Sequence, residues 1–265
     1  ICEDTTYDKN GFVTLENAQF RASLISKCSY DVTLALPKGE NYFGHVICTF
    51  TLSALPTKPL YLDFRGIKIG KLTINGNEVK ENSFKDHHIT MAASYLSVGE
   101  NTVSVSIFNK YRKDGVGLHS YTDSADGGNI YTPNLKLIFA TIFSIFDQPD
   151  IKAPWTLKAV VPEDWTVIAN YYVDPAKGGQ EHNDQIKNKV EVAAFFGSAE
   201  AYSNISDPKF FWFFETPRIS TYIYAVVAGP FEYHESITDD LPPMRIYARK
   251  NLKDEVNHKE MFLVT

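Results

Sequence analysis

A repeated period of two is the feature that most limits what this chain can become. Tyr30-Asp31-Val32-Thr33-Leu34-Ala35-Leu36 alternates apolar and polar residues, and Asn101 to Phe108 does so again. Such alternation gives a strand one face for a core and one for solvent. Shorter runs at Tyr42–Leu52, Leu60–Phe64, Thr156–Val161, Trp165–Ala169, Phe210–Glu215, Tyr222–Ala228 and Met244–Ala248 are bounded by turn residues. Between Ile67–Ile74 and Asn77–Val79 lies Asn75-Gly76, the strongest short signal for a two-residue hairpin turn. Only three stretches read as helix. Leu15, Ala18, Ala22 and Ile25 sit near helical spacing behind a capping Thr14, which predicts a helix over 14–26. Ile186, Val190, Ala193, Ala194, Gly197 and Ala201 predict a second within 184–202, and Val256, Met261 and Val264 the start of a third. The pattern describes a mainly β, antiparallel domain with one short amino-terminal helix and one inserted helix.

A chain of 265 residues is long enough to bury one sizeable core. No Pro/Ser-rich linker divides it. The boundaries expected are a lead-in over 1–13, a β domain over 14–252 with a helical insertion about 180–207, and a helix start over 253–265. The formal charge of −6, with no basic block, argues against nucleic acid as a partner. No run approaches 18 consecutive apolar residues, so no transmembrane segment is expected; the protein reads as soluble, with an intracellular setting favoured. Cys2, Cys28 and Cys48 lack metal-ligand spacing, and Cys28 and Cys48 read as small buried hydrophobes. None of the seven histidines has a partner four residues on, and His87-His88 reads as a solvated pair. No nucleophile elbow, phosphate loop or dinucleotide fingerprint is present. The run Phe210-Phe211-Trp212-Phe213-Phe214 reads as a strand buried on both faces. Asp147 and Asp150, flanking Gln148-Pro149, read as carboxylates that satisfy turn backbone groups.

Several longer runs, in order, resemble one family. They are Val116-Gly117-Leu118-His119-Ser120-Tyr121, Tyr131-Thr132, Phe146-Asp147-Gln148-Pro149-Asp150, Trp155-Thr156-Leu157 and Pro162 to Asn170. Thr216 to Tyr222, Ala225 to Phe231 and Pro243 to Arg249 continue the series. Together they resemble the amino-terminal β domain of the zinc aminopeptidase family, of the aminopeptidase N and leukotriene hydrolase type. The resemblance implies a saddle-like antiparallel β-sheet or sandwich. It also implies that the catalytic zinc domain, with its H-E-x-x-H helix, is missing from this chain and would follow residue 265. No cofactor is then expected here, and zinc only if a catalytic domain exists elsewhere.

One family site falls inside this domain. Active members carry a Tyr-Thr-Gln-x-Glu-like run whose Glu pairs with the substrate's free α-amine. Here the run reads Tyr131-Thr132-Pro133-Asn134-Leu135 at unbroken spacing from Phe146. Tyr131, Pro133 and Leu135 are thus a vestigial substrate-amine site, because leucine cannot bind an ammonium group. Leu135, Leu137, Ile138, Phe139, Ile142 and Phe143 form an apolar stretch where active members have polar and charged residues. The expectation is a non-catalytic relative, a structural or interaction module whose apolar stretch is covered by other protein subunits or by a separate catalytic domain. The rival expectation is the amino-terminal portion of a working zinc aminopeptidase, and a third is a free peptide-binding module.

Overall fold

The computed structural model describes residues 12–79, 83–122, 129–133, 139–177, 205 and 207–264. It opens with α1 (Leu15–Leu24), whose first turn is capped by Thr14 Oγ1 accepting from the Asn17 N–H at 3.3 Å. Sixteen strands are described: β1 (Ile25–Ala35), β2 (Asn41–Leu52), β3 (Leu60–Asp63), β4 (Lys68–Ile74), β5 (Asn77–Glu78), β6 (Phe84–Lys85), β7 (His88–Met91), β8 (Gly99–Lys110), β9 (Leu118–Thr122), β10 (Asn129–Pro133), β11 (Trp155–Pro162), β12 (Thr166–Ala169), β13 (Pro208–Trp212), β14 (Val226–Gly229), β15 (Phe231–Thr238) and β16 (Leu241–Arg249). A short helix, α2 (His258–Val264), follows a 3₁₀ turn over Lys250–Glu255.

The strands form a seven-stranded sheet of order β13-β11-β1-β2-β8-β4-β5, a four-stranded sheet β12-β14-β10-β9, a three-stranded sheet β3-β7-β6 and the hairpin β15–β16. Every pairing between named strands is antiparallel except β1 with β11. The period of two is realised most fully in β2, where buried Tyr42, Gly44, Val46, Cys48, Phe50 and Leu52 alternate with half-buried neighbours. On β8, Val103, Val105 and Ile107 face the same core. The opposite face of these strands is mixed: the His45 ring lies 3.2 Å from Ser106 Oγ and 3.0 Å from Ser104 Oγ, and Phe43 packs edge-on to Phe108. One continuous core joins the seven-stranded sheet to residues of the two smaller sheets, among them Leu62, Ile89, Leu118, Val167 and Val226. The fold is thus the sandwich-like β domain expected. At Asn75-Gly76 both φ angles are positive, 52° and 79°, the combination that lets a two-residue turn follow the twist of β4 and β5.

Four expectations need correction. The first helix ends at Leu24, because Ile25 already pairs with Leu52 in the sheet. Its inner face is also not the apolar one: Leu15 and Ala22 are exposed, while Asn17 and Arg21 are buried. The run 210–214 is not buried on both faces. β13 is the edge of the large sheet, Phe210 to Trp212 are half-buried and Phe214 is exposed. Lysines cover its rings instead, with Lys158 and Lys177 ammonium groups 4.5 and 4.9 Å from Trp212 and Lys209 5.1 Å from Phe211. Such charges also guard an open edge against pairing with another chain. Finally, His87 and His88 part company: His87 sits exposed in a turn at φ 69°, and His88 is buried. The helix expected within 184–202 lies outside the described residues.

Candidate functional site

The family-like runs at 131–135 and 146–150 meet the fold in different ways. Tyr131 and Thr132 lie on β10, between β9 and β14, with Tyr131 opposite Ser120 on one side and Ala228 on the other. Pro133 ends the strand opposite Leu118. Leu135, Leu137 and Ile138 lie outside the described residues. Phe139 opens a 3₁₀ turn over Phe139–Thr141. From there the chain dives inward, and Ala140 to Phe146 are all buried.

A buried segment without regular structure must find partners for each backbone polar group. Partners here come from β1, β2, β3 and β8 and from Arg65 just past β3. Asn109 Nδ2 donates to Thr141 O at 2.6 Å, and Tyr42 Oη donates to Thr141 O at 3.3 Å and Ile142 O at 3.4 Å. The Arg65 N–H donates to Ala140 O at 2.6 Å. Asp63 and Ile145 exchange both backbone bonds, at 2.7 and 3.0 Å. The Phe146 N–H donates to Tyr30 Oη at 2.9 Å. The 140–146 strap is therefore held at both ends, over Ala140–Ile142 and again at Ile145–Phe146.

Its anchor is Asp63. The Arg21 guanidinium grips it with two bonds, Nη1–Oδ2 at 2.8 Å and Nη2–Oδ1 at 3.2 Å, and the Asp147 N–H adds a third at 2.9 Å. His88 Nδ1 stands 3.6 Å from Oδ1. Both members of the ion pair are almost fully buried, 0% and 6% by side chain. Burial pushes the Asp63 carboxyl up, but Arg21, His88 and the Asp147 N–H outweigh it and hold the group well below the usual carboxylate range. This explains the polar inner face of α1. Sequence spacing alone could not show it, since Arg21 and Asp63 are 42 residues apart.

Asp147 behaves in the opposite sense. Burial, and then the charge of Asp63, raise its carboxyl to about 6, against weaker help from the Ala140 N–H, Arg65 and Arg21. It lines a small cavity of about 180 Å³ with Asp63, Arg65, His88, Ala140, Phe12 and Val13. The native state thus binds a proton on Asp147 that the unfolded chain, at about 3.9, would release. Stability should rise as pH falls, by about 1 kcal/mol between pH 7 and 5, approaching about 3 kcal/mol in all only below pH 4. Asp63, depressed when folded, gives stability that is lost only as pH falls below about 4. Urea midpoints measured from pH 8 to 3 should pass through a maximum near pH 4–5, and Asp147→Asn should flatten the rise between 7 and 5 while leaving the acid loss.

Two residues of the expected interface have a different place. Ile142 is 1% exposed and Phe143 0%, both within the core of this chain. Phe143 packs 5.9 Å from Trp155 and edge-on 5.8 Å from Tyr224. They fill the domain's own interior, so they offer no surface to a partner. Their apolar character answers to the strap, whose burial the sequence run shared with any exposed apolar patch.

Asp63 is saturated by donors. Among the described residues, no three of His, Cys, Asp or Glu converge on a point where they could share a metal ion. The donor set of a catalytic zinc, two imidazoles and a carboxylate on facing positions, does not fit the described residues: His45 lies between two serines, His88 beside Asp63, and His234 stacked on His258.

The sandwich-like β domain carries the family-like runs on β10, at the strap's end and on β11 and β12. Residues 26–193 match the family model for the Peptidase M1 N-terminal domain, and the chain belongs to that family. It is similar to aminopeptidase N of Streptomyces lividans, 27% identical over 266 residues covering 96% of this chain and 27% of the relative. It is also similar to the probable M1 family aminopeptidase 2 of Encephalitozoon cuniculi, 26% identical over 73% of this chain and 20% of the relative. Aminopeptidase N of Rattus norvegicus is 26% identical over 43% of this chain and 9% of its own length. The chain thus spans about a quarter or less of the length of the curated relatives it matches.

Proposed function

We propose that this domain acts as a non-catalytic structural or protein-interaction module in a larger assembly. The observation that carries the proposal is Leu135, standing where the family resemblance places the glutamate that binds a substrate's α-amine. A carboxylate there holds a cation by charge-assisted bonds, and leucine offers it no acceptor.

The test uses the protein as it is expressed in its source cells, assayed with alanyl and leucyl p-nitroanilides and for zinc content. The expected result is no turnover that a chelator abolishes. Chelator-sensitive turnover would overturn the proposal in favour of the second reading, the amino-terminal domain of a zinc metallo-aminopeptidase whose catalytic domain lies outside this chain. What favours that reading is the similarity to the Streptomyces aminopeptidase along 96% of this chain. Under it, zinc would be held by residues beyond these, and the β domain would serve as a wall against which they dock.

The partner is then another protein subunit or a separate catalytic domain, meeting the chain at Leu135, Leu137, Ile138 and Phe139. Nucleic acid has no basic surface run to bind, and no helix among the described residues is long and apolar enough to cross a membrane. Changing Leu135 and Leu137 to Glu should leave the domain folded, by circular dichroism and urea midpoint, while releasing it from its native complex on gel filtration. Unfolding would assign these side chains to the domain's own core and end the interface proposal at this place.

A further inference from the structure

The strands β1 and β2 carry a chemistry that the peptidase family frame does not use. Cys28 and Cys48 are 20 residues apart in sequence, and their sulfurs approach to 3.9 Å. The register explains the contact: Tyr30 is opposite Cys48 and Cys28 is opposite Phe50, so both thiols point to one face at diagonal positions. The twist of an antiparallel pair brings one diagonal close. Both are free thiols, Cys28 6% exposed and Cys48 fully buried. The sulfurs are just under 2 Å further apart than the roughly 2.05 Å of a disulfide bond. Diagonal neighbours lie roughly 7–8 Å apart, at the long end of what a disulfide spans, so closing the bond takes rotation of both side chains and a local shift of the two strands.

We propose that Cys28 and Cys48 form a reversible thiol–disulfide pair, oxidised by hydroperoxides, that cross-links the centre of the large sheet. Cys28, the less buried of the two, is the attacking sulfur. Its thiol is lowered by hydrogen bonding from Cys48, against the effect of burial, with further help from Tyr30 and from the charge of Arg218. Cys48 is held up by complete burial and by its neighbour. The Cys28 thiolate attacks one peroxide oxygen. The O–O bond breaks, the other oxygen leaves with a proton as alcohol or water, and Cys28 becomes a sulfenic acid. The Cys48 sulfur then attacks the Cys28 sulfur. As it attacks, the Cys48 proton passes to the departing hydroxide, the S–O bond breaks and water leaves. Two thiols and one hydroperoxide give one disulfide, one alcohol or water, and one water. The two electrons lost by sulfur are those gained by the O–O bond.

The test exposes the native protein to hydrogen peroxide, blocks remaining thiols with N-ethylmaleimide in urea, and maps peptides without reductant. The expected product is a single peptide pair joining residues 28 and 48, lost on adding dithiothreitol, with Cys2 alkylated. The oxidised protein should melt several degrees higher, as a cross-link across a 20-residue loop restrains the unfolded chain. In Cys48→Ala, peroxide should leave Cys28 as a sulfenic acid that dimedone traps. The proposal is overturned if Cys28 and Cys48 are both recovered alkylated after peroxide, or if the 28–48 link appears only when oxidation is done in urea. Should Cys48→Ala not fold, the peptide map of the unaltered protein decides alone.

Discussion

Arg21→Met should destabilise this domain by about 3–5 kcal/mol, the cost of leaving a buried carboxylate without its partner. Few single changes elsewhere in the chain should match it. The guanidinium supplies two donors to Asp63, and Asp63 in turn fixes the Asp147 N–H and the backbone of Ile145. The measurement is the urea midpoint, with its slope unchanged. A second signature separates this from ordinary loss of packing. Without Arg21, the Asp63 carboxyl should rise toward the normal range or above it, so the acid loss of stability should begin at higher pH than in the parent. Adding Asp63→Asn to Arg21→Met should recover part of the loss, since an amide is less costly to bury than an unpaired charge. A variant as stable as the parent would show that α1 docks by other means.

Trp155→Ala should cost about 3–5 kcal/mol. Trp155 is 1% exposed and is sandwiched between Tyr30, centroids 4.3 Å apart, and Tyr224, 4.4 Å apart and nearly parallel at 25°. It joins β1 and β11 to the strap through Phe143. Trp155→Phe should cost much less. It keeps the aromatic stack and removes the Nε1 donor, which has no hydrogen-bond partner among the described residues. Equal losses for the two variants would mean that neither the ring nor the volume Phe retains can replace the indole. Thermal unfolding of both variants beside the parent settles the comparison.

The strands of the large sheet were legible because one face is buried and the other is not. β2 and β8 therefore carry alternation in every pair of residues. The Asn75-Gly76 turn was legible because few residues accept positive φ twice in succession. β15 was not foreseen: Phe231 to Thr238 is held mainly by its hairpin partner, is largely exposed, and so has no clean apolar period. The face of α1 was misread for a related reason. Hydrophobic spacing is a guide only where burial is apolar, and here the buried positions carry Asn17 and Arg21. At the candidate site, the family-like runs on β10 and at 146–150 were readable from sequence. The division of the apolar stretch was not, because Ile142 and Phe143 resemble an interface until the strap's path through the core is seen. Asp63 carried no signal of its own. Its role comes from long-range partners that no local window contains.

The parallel pairing of β1 with β11 bears on how the chain reaches this structure. Tyr30 and Trp155 come to lie side by side although they are roughly 120 residues apart. β1, β2, β8 and β4 can zip together through antiparallel neighbours soon after they are made. β1 then waits with an open edge, exposing unpaired N–H and C=O groups, until β11 is synthesised and closes a long loop. During that interval the half-built sheet is a template for any extended segment, of this chain or another. On the ribosome, the vulnerable species is the nascent chain that ends between residues 110 and 155, and a chaperone would protect it best by covering the side of β1 that β11 will take.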